Sequence, residues 1–216
     1  MQPTNFWDHD FPILLLGWLL ALLSPTVVNA ITKRYSRKEV KKALLTELSG
    51  VSGLLVALVY QIEKNLGRLN RETLKWTLER FKKYQDLSTQ SELLNPLEKL
   101  LNLPDEQLIA ASKLMPRNPS ITLGLKEIQT PFLDAHLIAL PLFKETFQSR
   151  ILEIKSKIGI INQEIIQARF YFEKSFDSTV NDNNRKILDS NTLSSYNNLS
   201  QQAKIAISQM ENLENL

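Results

Sequence analysis

The sequence predicts an all-α protein: one N-terminal transmembrane helix, then an elongated antiparallel helical bundle with coiled-coil-like packing. Three observations carry this. Long stretches repeat apolar residues at spacings of three and four, which is one face of a helix. Glycine is scarce, with 6 in 216 residues, too few for the turns of a loop-rich β fold. Leu, Ile, Lys, Glu, Gln and Asn dominate, and all but Asn favour helices.

The first element is the run Phe11–Ile31, 21 residues without a charge. At about 1.5 Å per residue it covers the ~30 Å hydrocarbon core of a bilayer. Pro12 suits a first helical turn, where its missing N–H costs nothing; Pro25 falls inside the run. Asp8 and Asp10 precede it, and Lys33, Arg34, Arg37, Lys38, Lys41 and Lys42 follow, opposed only by Glu39. The positive-inside rule then sets residues 1–10 as a short extracytoplasmic tail, 11–31 as a transmembrane anchor, and the remainder as cytoplasmic, at a bacterial inner membrane. Val28-Asn29-Ala30 resembles a signal-peptidase site, so cleavage after Ala30 is the alternative. The acidic, base-free stretch before the run is the wrong n-region for a removable signal.

Residues 32–85 form a basic juxtamembrane and amphipathic region. Between Lys33 and Tyr84 the net charge is +8, against −3 for residues 85–216. Next to an apolar run, this asymmetry points to anionic lipid headgroups as the partner and makes nucleic acid the disfavoured one. Val40, Leu44, Leu48, Val51, Leu55, Leu58, Ile62, Leu66 and Leu69 define one seam, and Leu74, Leu78 and Phe81 a second, shorter one. Within the first, Leu48–Tyr60 has no charge, but its 13 residues are too few to span a bilayer. It reads as a central bundle helix. Gly50, Gly53 and Ala57 make a small-residue stripe on it, a candidate surface for close helix packing or self-association.

Residues 86–140 read as short helices and loops, punctuated at Asn95-Pro96, Met115-Pro116 and Asn118-Pro119. Pro104-Asp105-Glu106 is a helix start. The apolar segment Thr130–Phe143 reads as a cap on one end of the bundle, with Phe132, Leu133 and His136 as a candidate partner patch. Residues 141–216 form a long helical hairpin. Its first seam runs Phe143, Phe147, Ile151, Ile154, Ile158, Ile161, Ile165, Ala168, Phe172 and Phe176. A loop over 177–191 follows, then a helix carrying Leu193, Tyr196, Leu199, Ala203, Ala206, Met210 and Leu213.

The chemistry-bearing residues are few. There is no cysteine, which removes disulfides, thiolate metal sites and cysteine nucleophiles. The two histidines, His9 and His136, stand apart. No phosphate-binding glycine loop, nucleophile elbow or zinc-type spacing occurs. The expectation is therefore a non-enzyme with no cofactor and no metal. It would be a single-pass scaffold or adaptor whose partner is an unidentified protein or another copy of the chain. The alternatives are a membrane-perturbing effector (a toxin or defence protein) in which Leu48–Tyr60 joins the bilayer when triggered, and a ligand-sensing helical domain.

Overall fold

The structure is a computed structural model that describes residues 6–84, 90–114 and 124–214, with side chains described for 36–84, 94–114 and 124–213. Every regular element among the described residues is helical. They are α1 (Phe6–Asn65), α2 (Arg71–Tyr84), α3 (Gln90–Leu101), α4 (Asp105–Leu114), α5 (Pro131–Ala135), a 3₁₀ turn (Leu137–Leu142), α6 (Glu145–Ser175) and α7 (Asp182–Glu214). The chain divides into two compact units, Met1–Ala43 and Leu44–Leu216.

In the first unit, the backbone of the expected anchor, 11–31, is helical. Its side chains, with those of Lys33 and Arg34, lie outside the described residues. The part of α1 from Ser36 to Asn65 is long and apolar enough, by length and composition, to cross a membrane. Yet 44% of its most apolar window is buried inside the protein. In this part of α1, Leu44, Leu48, Val51, Leu55, Val56, Val59 and Ile62 are each at most 3% exposed.

Val56 and Val59 were not on the expected seam, whereas Leu58 was and is only half-buried. The reason is that this part of α1 is packed from two sides. At about 100° per residue its buried positions cover more than half the helix circumference. On one side Ser52 Oγ donates to Met210 Sδ (3.0 Å) and Ser200 Oγ donates to Glu63 Oε1 (2.6 Å). The register rises in α1 as it falls in α7, so the two run antiparallel. On the other side Gly53 faces Tyr84 at the end of α2, close enough that an added Cβ would lie 3.6 Å from Tyr84 Cβ.

α6 and α7 form the hairpin. Lys157 Nζ donates to Gln202 Oε1 (2.9 Å) and Asn198 Nδ2 to Glu164 Oε1 (3.3 Å), again an antiparallel register. The α6 seam from Phe147 through Ala168 is buried at every expected position. Phe176, just past the helix end, is 57% exposed. α7 begins at Asp182, earlier than the expected start near Leu193. The Asp/Asn/Ser cluster that reads as loop is in fact the helix start. Asn181 Oδ1 accepts the Asn184 N–H (2.9 Å), an N-cap that satisfies one of the otherwise unpaired first-turn donors. Similarly, Pro96 lies inside α3 rather than ending it, at the cost of one backbone hydrogen bond. Met115-Pro116 and Asn118-Pro119 lie outside the described residues.

The short α6–α7 connection is fixed by Asp177, whose Oδ1 accepts from the Thr179 hydroxyl (2.7 Å) and N–H (3.0 Å). These bonds, with Lys174 nearby, hold the Asp177 carboxyl well below its ordinary 3.8, at about 2. A depressed carboxylate pKa stabilises the fold above the unfolded value and loses that contribution as pH falls from about 4 through about 2. The Asp177 carboxyl carbon should therefore titrate with a midpoint near 2 by NMR. Thr179→Val, which removes the largest cause, should move that midpoint up toward 3.8.

Candidate functional site

A polar cleft in the second unit lies between the end of α1, the start of α2, and α7. It arises from the way α1 stops. Gly67 has φ 62°, in the left-handed region that favours glycine. Its N–H donates to the Lys64 carbonyl (3.0 Å), and the Arg68 N–H donates to that of Glu63 (2.9 Å). This C-cap turns the chain so that Arg68 folds back over Glu63. Asn70 then opens α2, its Oδ1 accepting the Thr73 N–H at 2.8 Å.

Glu63 is 7% exposed and fully partnered. Arg68 donates Nε to Oε2 (3.1 Å) and Nη2 to Oε1 (3.2 Å); Ser200 donates to Oε1, and Lys204 Nζ lies 3.9 Å from it. Arg68 Nη1 also reaches Asn197 Oδ1 at 2.6 Å. The cleft, of about 690 Å³, is lined by these groups together with Asn70, Glu72, Thr73, Trp76 and Gln201. The Trp76 ring has the Arg80 guanidinium 4.6 Å from its centroid and Lys204 Nζ 5.9 Å away. Two acids and two bases line the cleft, so its charge is balanced and it favours neither an anion nor a cation. Glu63 and Arg68, the two groups best placed for chemistry, are committed to each other. No cluster of three or more potential metal ligands occurs among the described residues. The arrangement joins α1, α2 and α7.

Sequence reasoning did not single out Glu63, Arg68, Trp76 or Lys204. The Glu63–Arg68 pair is five residues apart, off the helical i, i+4 spacing. Only Gly67, as a helix stop, hints that the chain reverses there.

The residues that sequence reasoning did single out fall in several places. Arg37, Lys38 and Lys42 are exposed and Lys41 is half-buried. The small-residue stripe does not act as one surface. Gly50 is exposed with nothing within 4 Å of an added Cβ, Gly53 is buried against α2, and Ala57 is half-buried. Of the Thr130–Phe143 cap, Leu133 is fully buried. Phe132 is half-buried and stacks on His136, with ring centroids 3.9 Å apart. Glu47 of α1 fixes the cap, its carboxylate oxygens accepting the Phe132 and Leu133 N–H groups, both at 2.7 Å. Thr130, the residue at the N-cap position, makes no side-chain cap bond; Glu47 does that work from another helix.

The chain matches no protein-family model, no curated protein and no solved structure.

The cleft network has a directional energetic consequence. The Arg68 side chain is 45% exposed and returns to water if its partner is lost, whereas that of Glu63 is 9% exposed and cannot. Arg68→Ala should therefore destabilise by about 2–3 kcal/mol, leaving a buried carboxylate short of donors. Glu63→Gln, which keeps an acceptor for Ser200, should cost about 1 kcal/mol or less. Thermal or denaturant unfolding of the full chain in detergent would rank the two; the reverse order would contradict this geometry.

Proposed function

We propose that this chain is a non-enzymatic, single-pass membrane-anchored scaffold or adaptor. Residues 11–31 hold it in a bacterial inner membrane with the N-terminus outside, and the helical unit acts in the cytoplasm by binding another protein or a second copy. The observation that carries this reading is where the second apolar stretch goes. Within Leu48–Tyr60, the residues Val51, Ser52, Gly53, Leu55, Val56 and Val59 are all buried among other helices of the same unit. A segment used as a folded core is not held in reserve for insertion, so the membrane role falls to 11–31. The same burial weighs against the effector reading, which needs Leu48–Tyr60 to leave the fold. The cost of extracting it is large, since each fully buried aliphatic side chain is worth about 1.5–3 kcal/mol.

The orientation is supported by the basic collar that follows the anchor, and a tether in a plane raises the effective concentration of any partner sharing it. Expressed in a bacterium, the full chain should stay in the membrane pellet through alkaline carbonate extraction. Leu20→Arg with Leu22→Arg, which puts two charges in mid-span, should release it. Protease added to intact spheroplasts should leave residues 44–216 uncut until the inner membrane is opened. Cutting before that step would reverse the proposed orientation, and carbonate release of the unaltered chain would remove the anchor.

A further inference from the structure

We propose that the polar cleft between α2 and α7 binds a short, uncharged saccharide. The site lies wholly within the second unit and does not depend on the membrane anchor. Two ties bound it. At one end Arg68 Nη1 donates to Asn197 Oδ1 (2.6 Å). At the other, Arg80 Nη2 donates to Glu211 Oε2 (3.0 Å) and the Tyr84 hydroxyl to Glu211 Oε1 (3.2 Å). The register rises in both helices, so α2 and α7 run parallel. Thr73 and Trp76 of α2, with Gln201 and Lys204 of α7, line the space between the ties. α2 rises about 15 Å from Asn70 to Arg80. The volume of about 690 Å³ falls within the ~300–1,000 Å³ of small-ligand clefts.

The α7 wall is a polar stripe beside an apolar one. Asn197, Ser200, Gln201 and Lys204 share a helix face at spacings of three and four, while Leu199, Ala203 and Ala206 are fully buried in the core. Aliphatic residues on the first stripe would let α2 and α7 close on each other. The polar stripe keeps an opening that packing does not require.

The charge pattern selects an uncharged ligand. The two bases of the lining, Arg68 and Lys204, both stand against Glu63. An anion that drew them away would strand that buried carboxylate. A cation approaching the Trp76 ring would meet the Arg80 guanidinium and the Lys204 ammonium already beside it, and like charges repel.

The groups left over select hydroxyls. Asn70 Oδ1 accepts the Thr73 N–H and Asn197 Oδ1 accepts from Arg68, so each amide has its NH₂ group to offer. The Thr73 hydroxyl, the Gln201 amide and the Glu72 carboxylate bond to no other side chain among the described residues. Donors and acceptors are therefore mixed around one opening. A hydroxyl serves both kinds at once, and a sugar ring carries several. Trp76, the single aromatic of the lining, supplies apolar surface for the C–H face of such a ring. An apolar ligand would dehydrate the amides and Glu72 without giving them partners.

Trp7→Phe with Trp18→Phe leaves Trp76 as the chain's one indole, so its fluorescence reports on the cleft. The full chain with both changes, in a polyoxyethylene detergent that has no sugar headgroup, would be titrated with glucose, galactose, N-acetylglucosamine, maltose, cellobiose and trehalose. At least one should give a saturable change in Trp76 emission. Gln201→Leu and Thr73→Val remove side-chain groups that bond to nothing in the fold, so the protein should stay folded. Each should weaken that sugar about five- to tenfold. A saturable response unchanged by both substitutions would put the sugar elsewhere and overturn the proposal. So would silence with every sugar of the set, or a response to glucose 6-phosphate or choline with none to the neutral sugars.

Discussion

The second unit depends on the burial of one helix segment, Leu44 to Ile62 of α1, from two directions at once. Seven aliphatic side chains there are at most 3% exposed, and their transfer from water supplies on the order of 10–20 kcal/mol before the entropy of ordering is counted. α7 covers one side, with Ser52 and Glu63 reaching Met210 and Ser200. α2 covers the other at Gly53, where an added Cβ would rest in ordinary contact with Tyr84. α6 completes the structure by pairing with α7. Even the end cap hangs on this segment, through Glu47.

A buried, continuous apolar helix has to be told apart from a membrane span. Ser36–Asn65 passes the same length and composition test as a membrane span. What separates it from 11–31 in this account is company. Its polar residues are placed against partners outside α1: Glu63 with Arg68, Ser200 and Lys204, and Glu47 with the backbone of α5. Carboxylates buried without such partners would be costly in either environment. The first unit carries its charges only outside the 21-residue run, which is the arrangement lipid demands.

The periodic parts of the fold were legible in the sequence. The Ile-rich seam of α6 is buried as spaced, and α2 runs over the expected residues. These succeed because a 3–4 repeat reports one neighbour on one face. The reading weakened where a helix has two neighbours, as at Val56 and Val59, because a second buried face breaks the simple repeat. It also failed at polar helix starts: Asn181 and Asp182 look like loop residues and act as a cap. The Glu63–Arg68–Ser200–Lys204 network was not legible, since it joins residues up to 141 positions apart in the chain. The cap was found as a segment, but its outward residues were not. Phe132, Leu133 and His136 drew notice as an aromatic, an aliphatic and a lone titratable group, while Ile138 and Leu142 are the side chains that face out.

The central claim is that the chain divides its two apolar stretches, one for lipid and one for its own core. Photolabelling of the membrane-embedded full chain with a carbene-generating probe confined to the acyl region, read by peptide mass spectrometry, tests it most directly. The account predicts adducts within 11–31 and none within 48–60. Adducts across 48–60 at a yield matching 11–31 would contradict it.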